Sequence, residues 1–385
     1  MANGGKPERV PSVRLAPDSE TVLKQLGLLK DLAGTWEGHG FNLIARPDFE
    51  GDANLYLELN QTDETLKFDP IGSAIPNRGF GQDDIELFGL TYLQKIHEAS
   101  TGGALHIEPG IWITQPPTEY PKEEPKDPND QIVARMASIP HGNALLARGT
   151  AASLVKDAPT LPAGAAIYAG SIFPSFNSTP FGVGTPINAA GSSEKDTAPV
   201  PPGFPQYTFA EPATAANPRT PFPATKPPLP NAIDGVEMQE VINDPVTLLQ
   251  AAIKKQQAEG YTFKEVVTLN IATQAEIPFL EKPNDKTAGP PVQVEFGSGG
   301  IENIPFLTGI EPPPPGKGPN ARTAIVYATF WIEKVSHPDR PEDFMQLQYA
   351  QMTVLDFPIL KPVPPAFVDL SWPHVSVATL RRSFL

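Results

Sequence analysis

The chain is expected to fold as a mainly-β protein, a single antiparallel up-and-down β-barrel forming one domain over residues 1–385. Three observations predict this. Segments of alternating polarity recur in both the N-terminal and C-terminal parts, with the period of two that a half-buried strand requires. The last of them, His374-Val-Ser-Val-Ala-Thr-Leu-Arg381, sets β-branched Val375, Val377 and Thr379 on one face. His374, Ser376, Ala378 and Leu380 fall on the other. Its best neighbours are the strand before it and the N-terminal strand around Gly34–Ile44, and a sheet that joins its own ends is a closed barrel without edges. Finally, the 47 prolines demand long ordered loops, because proline is confined to turns, edges and irregular segments.

The elements follow in order. Residues 1–17 read as a loose tail. Asp18-Ser19-Glu20 starts a helix to about Asp31, whose Leu23, Leu26, Leu28, Leu29 and Leu32 form a broad apolar face suited to plugging one end of the barrel. Ala33–Ala45 is a strand whose glycines admit close approach of another backbone or a ligand. Asn54–Gln61 alternates and is a second strand, and Leu66–Asp84 reads as a loop. Ile85–His97 and Ala104–Ile113 are strands about the turn Thr101-Gly102-Gly103, and Pro116–Asp130 is a proline-rich acidic loop. Gln131–Ile139 and Asn143–Ala152 form a hairpin about Pro140-His141-Gly142. Thus 33–155 is the first half of the barrel. Residues 156–260 are a Pro-rich excursion plus a helix. The excursion carries too many aromatics for a solvated linker and is expected to wrap the barrel or lid its mouth. In the helix, Asp244 is the cap, Pro245 the first position and Gly260 the end. Residues 261–385 are the second half, with strands at Tyr261–Thr273, Val292–Phe296, Ile301–Leu307, Thr323–Lys334, Phe344–Leu355 and His374–Ser383, and a stiff turn at Pro312–Gly316.

Composition narrows the function. The formal net charge of −15 argues against a nucleic-acid backbone as partner. No run of apolar residues is long enough to span a membrane, and no secretory signal is visible, which fits a cytoplasmic location. The chain has no cysteine, so disulfides, thiolate metal sites and cysteine nucleophiles are excluded. A Gly-x-Ser-x-Gly elbow, a phosphate loop and a dinucleotide fingerprint are all missing.

Of the six histidines, His39, His106 and His374 lie within expected strands and His141 in a tight turn between two strands. Neutral imidazole is the commonest nitrogen ligand of transition metals, and a barrel lets strands distant in sequence converge on one axis. Glu37 beside His39 and Glu108 beside His106 sit two residues away on the same faces, where a carboxylate fixes the second nitrogen of a metal-bound imidazole. The competing reading of each histidine is a satisfied core residue or an exposed one. His97 and His337 read as loop residues.

Four stretches carry a resemblance: Gly34-Thr35-Trp36-Glu37-Gly38-x-Gly40, Leu105-His106-x-Glu108-x-Gly110-x-Trp112, Leu347-x-Tyr349-x-x-x-Met352 and His374-x-x-x-Ala378-Thr379-Leu380-Arg381. Together they resemble the nitrobindin-type barrels, ten-stranded relatives in shape of fatty-acid-binding proteins and lipocalins. That resemblance implies a haem with His374 as proximal ligand. The additional histidines depart from it and suit a bare ion. In its histidine set the chain is similar to the fungal manganese-dependent alkene-cleaving enzymes. This implies a non-haem Mn or Fe oxygenase, a dioxygenase using O₂ to cleave an aryl-conjugated C=C bond into two carbonyl fragments. His39, His106, His141 and His374 would hold the metal, with Glu37 and Glu108 behind them. An apolar pocket of Trp36 or Phe41, Trp112, and Phe330 or Trp331 would hold the alkene. The alternatives are the haem barrel and a metal-free carrier of a hydrophobic ligand. Barrels of this size are often monomers.

Overall fold

The computed structural model describes residues 17–48, 53–77, 84–140, 142–158, 209, 219–220, 229–277, 292–303, 322–360 and 367–383. The expected tail, His141, the turn at 312–316 and most of the Pro-rich excursion lie outside the described residues.

Ten strands carry the alternating segments: β1 (Gly34–Asp48), β2 (Ala53–Pro70), β3 (Ile85–Glu98), β4 (Ala104–Gln115), β5 (Gln131–Ile139), β6 (Asn143–Ala158), β7 (Thr262–Ala272), β8 (Arg322–Ser336), β9 (Phe344–Leu360) and β10 (Phe367–Ser383). Each pairs antiparallel with its sequence neighbour. The ring closes where β10 meets β1, with Thr35 opposite Ser383 and Ile44 opposite His374. The protein is therefore a closed ten-stranded antiparallel barrel. Between the two halves, β6 pairs with β7. There Gly149 lies so close to the Asn270 carbonyl that a Cβ would collide with backbone. A short strand, Gly299–Asn303, adds to the start of β6.

Two strands run further than their patterns suggest. β2 continues through residues expected to begin a loop, because Leu66 and Phe68 keep the period and are buried against the interior. β10 begins upstream of His374, paired along its length with β9.

The N-terminal helix α1 (Ser19–Leu26) is capped by Asp18, whose carboxylate accepts from the Thr21 N–H at 2.7 Å. A 3₁₀ turn, Gly27–Leu32, carries the chain into β1. Leu26, Leu29 and Leu32 are fully buried and join the interior cluster of Trp36, Phe88, Leu90 and Trp112, so this segment plugs one end of the lumen. Gln131 fastens it, its Oε1 accepting from the Leu28 N–H at 2.6 Å.

A second core lies outside the barrel. Helices α2 (Met238–Asn243) and α3 (Thr247–Ala258) cover the outer wall, burying Met238, Val241, Leu249 and Ile253 against Phe41, Leu43, Trp331, Met352 and Val377. The helix anticipated after Asp244 is α3, but it begins at Thr247 with Val246 at its N-cap, and Asp244 Oδ1 accepts from the Val246 N–H at 3.2 Å in the turn before it. The preceding α2 has no cap signal in the sequence, and its Glu237 N-cap makes no side-chain bond. Strands under this cover are buried on both faces, so every residue from Ala328 to Ile332 is buried and only Thr329 among them is polar. Among the described residues, no helix is long and apolar enough to cross a membrane.

Candidate functional site

Because side chains alternate, the lumen receives even-numbered residues of β1, β2, β3, β4 and β10 and odd-numbered residues of β5 and β9. At the plug end these are apolar and tightly packed. Trp36 is fully buried and donates its indole N–H to the Leu32 carbonyl at 2.7 Å. Trp112 meets Phe330 edge-on at 5.3 Å, and Phe330 stacks on Tyr349 at 5.4 Å.

Beyond this apolar floor the lumen becomes polar. Glu108 is wholly buried and accepts from Tyr92, from two nitrogens of Arg135, and from His106 Nε2 at 3.1 Å. Arg135 also donates to Gln351 Oε1 at 2.7 Å. Glu64, 4% exposed, accepts from Tyr349 at 2.6 Å, Thr62 at 2.8 Å and Gln94 at 3.5 Å. Gly40 makes room for it, since a Cβ there would stand 2.8 Å from Glu64 Oε1. Next along β1, Asn42 reaches across to β10, donating to His374 Nε2 at 2.5 Å and to Ser376 Oγ at 2.8 Å. Gln351 and Ser376 are register partners, which sets the His106–Glu108–Arg135–Gln351 chain next to the Asn42–Ser376–His374 group across the lumen.

The two buried carboxyls have opposite tendencies. Burial by itself would raise Glu108, but the Arg135 guanidinium and the His106 and Tyr92 hydrogen bonds bring it down to about 2. Burial raises Glu64 above its usual range, and the donors Tyr349, Thr62 and Gln94 only partly oppose it. Tyr92 and Tyr349 are pushed up, first by burial.

The expected four-histidine set does not assemble. His39 stands on the outer face, its side chain 85% exposed, with Nδ1 2.7 Å from Asp63 Oδ1. Parity explains the correction: Trp36, Gly38 and Gly40 take the inward positions of β1, so residues 37 and 39 point out. Glu37 is likewise exposed and stands behind no inward ligand. His106 and His374 do enter the lumen. His141 lies outside the described residues. Among the described residues, no three metal-ligating side chains converge; with His39 outside the barrel, the expected four do not share the lumen. Of the expected pocket aromatics, Trp36, Trp112 and Phe330 form the floor of the lumen. Phe41 and Trp331 lie on the outer wall beneath the helices.

Arg135, Glu64, Tyr92, Gln94 and Asn42 were not anticipated. Their one signal is a polar residue at an inward position of an otherwise apolar strand, as with Arg135 between Val133 and Ala137.

Fold and site together define a closed antiparallel barrel with a histidine- and carboxyl-lined lumen. Neither a family model nor a curated protein matches the chain. Among solved structures it is similar to the crystal structure of Rv2717c from M. tuberculosis. Identity is 12%, coverage is 94% of this chain and 98% of that one, and the TM-score is 0.32. At that level the likeness carries no functional argument.

Proposed function

We propose that the lumen beyond the plug is the active site of an enzyme that moves a proton on a small organic substrate. One observation carries this reading: two carboxyls in the same lumen, both near His106, are driven in opposite directions, Glu108 toward the anion and Glu64 toward the acid. Such divergent pairs mark acid and base roles. Glu108 fixes His106 through Nε2 as a positioning carboxylate, which makes His106 the base. Glu64, with Tyr349, is the proton-holding partner. Ile271, Val326 and Ala328 of β7 and β8 supply an apolar wall for the substrate's body. The experiment is solvent isotope exchange. Full-length protein in deuterated water is offered small ketones and aldehydes, and deuterium gained at carbon is read by mass spectrometry. Catalysed exchange that is removed by His106→Ala and by Glu64→Gln is expected. Absence of catalysed exchange across the panel overturns the reading.

A second reading keeps the metal, favoured by the same His106–Glu108 contact, which is the arrangement that orients a metal-bound imidazole. On this reading a non-haem Mn or Fe ion would use His106 and His374, and the chemistry supplied would be O₂-dependent cleavage of an aryl-conjugated alkene. Elemental analysis of untagged protein with an absorption spectrum decides it. About one transition-metal ion per chain and no haem band supports this reading. Metal-free protein that gains no alkene-cleaving activity with added Mn or Fe removes it.

A further inference from the structure

We infer that Asn60 is the recognition residue for a neutral ligand bearing an amide-type edge, a hydrogen-bond donor and acceptor side by side, as in a carboxamide or lactam. The inference rests on the lumen being a small-molecule site. Asn60 lies on β2 with Thr62 and Glu64 on the inward face and is 1% exposed. Neither its Nδ2 nor its Oδ1 has a hydrogen-bond partner. Buried polar groups are almost always paired, so an amide with both atoms open is equipped for something that is not part of the chain. Its register partner Asn42 is the contrast, with bonds to His374 and Ser376.

The chemistry of the open pair selects the ligand. A carboxamide offers an NH₂ donor group and a C=O acceptor side by side, so a complement that pairs with both must present an acceptor and a donor in the same plane. A neutral amide does. An ionised carboxylate has acceptors only and would face Asn60 Oδ1 with the wrong sign.

Full-length protein is titrated calorimetrically with benzamide, with benzoate as the charged comparison and toluene as the apolar one. Benzamide is expected to bind, with benzoate and toluene each weaker by about tenfold or more, the loss of a hydrogen bond or two. Asn60→Leu should lose benzamide binding by a similar factor while its thermal midpoint stays level or rises, because an unpaired polar group has been replaced by an apolar one of similar volume. If that variant does not fold, Asn60→Asp, which replaces the donor by an acceptor, carries the same binding expectation. Benzamide that fails to bind, binds no better than toluene, or binds undiminished to the variant overturns the inference. Isotope exchange is scored separately, so its presence without amide selectivity leaves the proton-transfer reading standing and removes only the role of Asn60.

Discussion

Glu108 and Arg135 show how much of this lumen depends on single side chains. Both are buried, and each satisfies the other's charge. Glu108→Gln is expected to destabilise the protein by about 3–5 kcal/mol, because it leaves a buried guanidinium without a counter-charge; urea unfolding measures it. Glu108 is held at about 2 against its ordinary 4.5. Its stabilising contribution is therefore complete above pH 4.5 and is lost as pH falls toward 2. Glu333 has the opposite sign. It is fully buried on the outer wall, accepts from Gln346 at 2.7 Å, and has no partner for Oε1. Burial lifts it to about 8. The folded state keeps that proton while the unfolded chain releases it, so stability declines as pH rises from 4.5 to about 8. Glu333→Gln should flatten this limb, with the thermal midpoint changing less between pH 5 and pH 8.5 than in the parent protein. An unchanged slope would show that Glu333 is not the group responsible.

At the scale of elements, the plug and the outer helices perform the same task on opposite sides of one wall. The α1 and 3₁₀ segment fills the lumen, whereas α2 and α3 cover an apolar outer face that would otherwise meet water. Leu29→Ala removes a fully buried side chain from the plug and is expected to cost about 2–5 kcal/mol. The fluorescence of neighbouring Trp36 should shift toward that of a wetter indole. A cost below about 1 kcal/mol would mean that the plug is peripheral to the core. Helix α3 is also held by polar contacts. Gln256 exchanges hydrogen bonds with Gln346 at 2.6 and 3.2 Å, and Gln348 donates to the Leu249 carbonyl at 3.2 Å. These contacts set where the helix lies on the wall.

For the whole molecule, closure through β10 is the organising event. This strand is bonded to β1 on one side and to β9 on the other. Removing residues 367–385 would open the ring and expose two strand edges at once. The truncated chain is expected to aggregate or to lose its cooperative thermal transition, as read by circular dichroism and gel filtration. A truncated protein that stays monomeric and melts cooperatively would show that the barrel does not require the tenth strand.

The period of two along the chain determined the class of fold, most strand positions, the closure of β10 on β1 and the inward face of His374. These depend on local alternation and on the need to leave no edge unpaired. The helix over the outer wall was legible from Asp244 and Pro245. Only the tertiary structure decided which face of β1 looks inward, because Gly38 and Gly40 take the inward positions and carry no side chain to mark them. His39 was therefore read as inward, although it stands in water beside Asp63. The second core outside the barrel was likewise hidden, since a strand buried on both faces loses the alternation that identifies its lumen side. The pairing of Glu108 with Arg135 and the open amide of Asn60 depend on which residues meet across the lumen, and that is set by barrel closure and register, not by spacing along the chain.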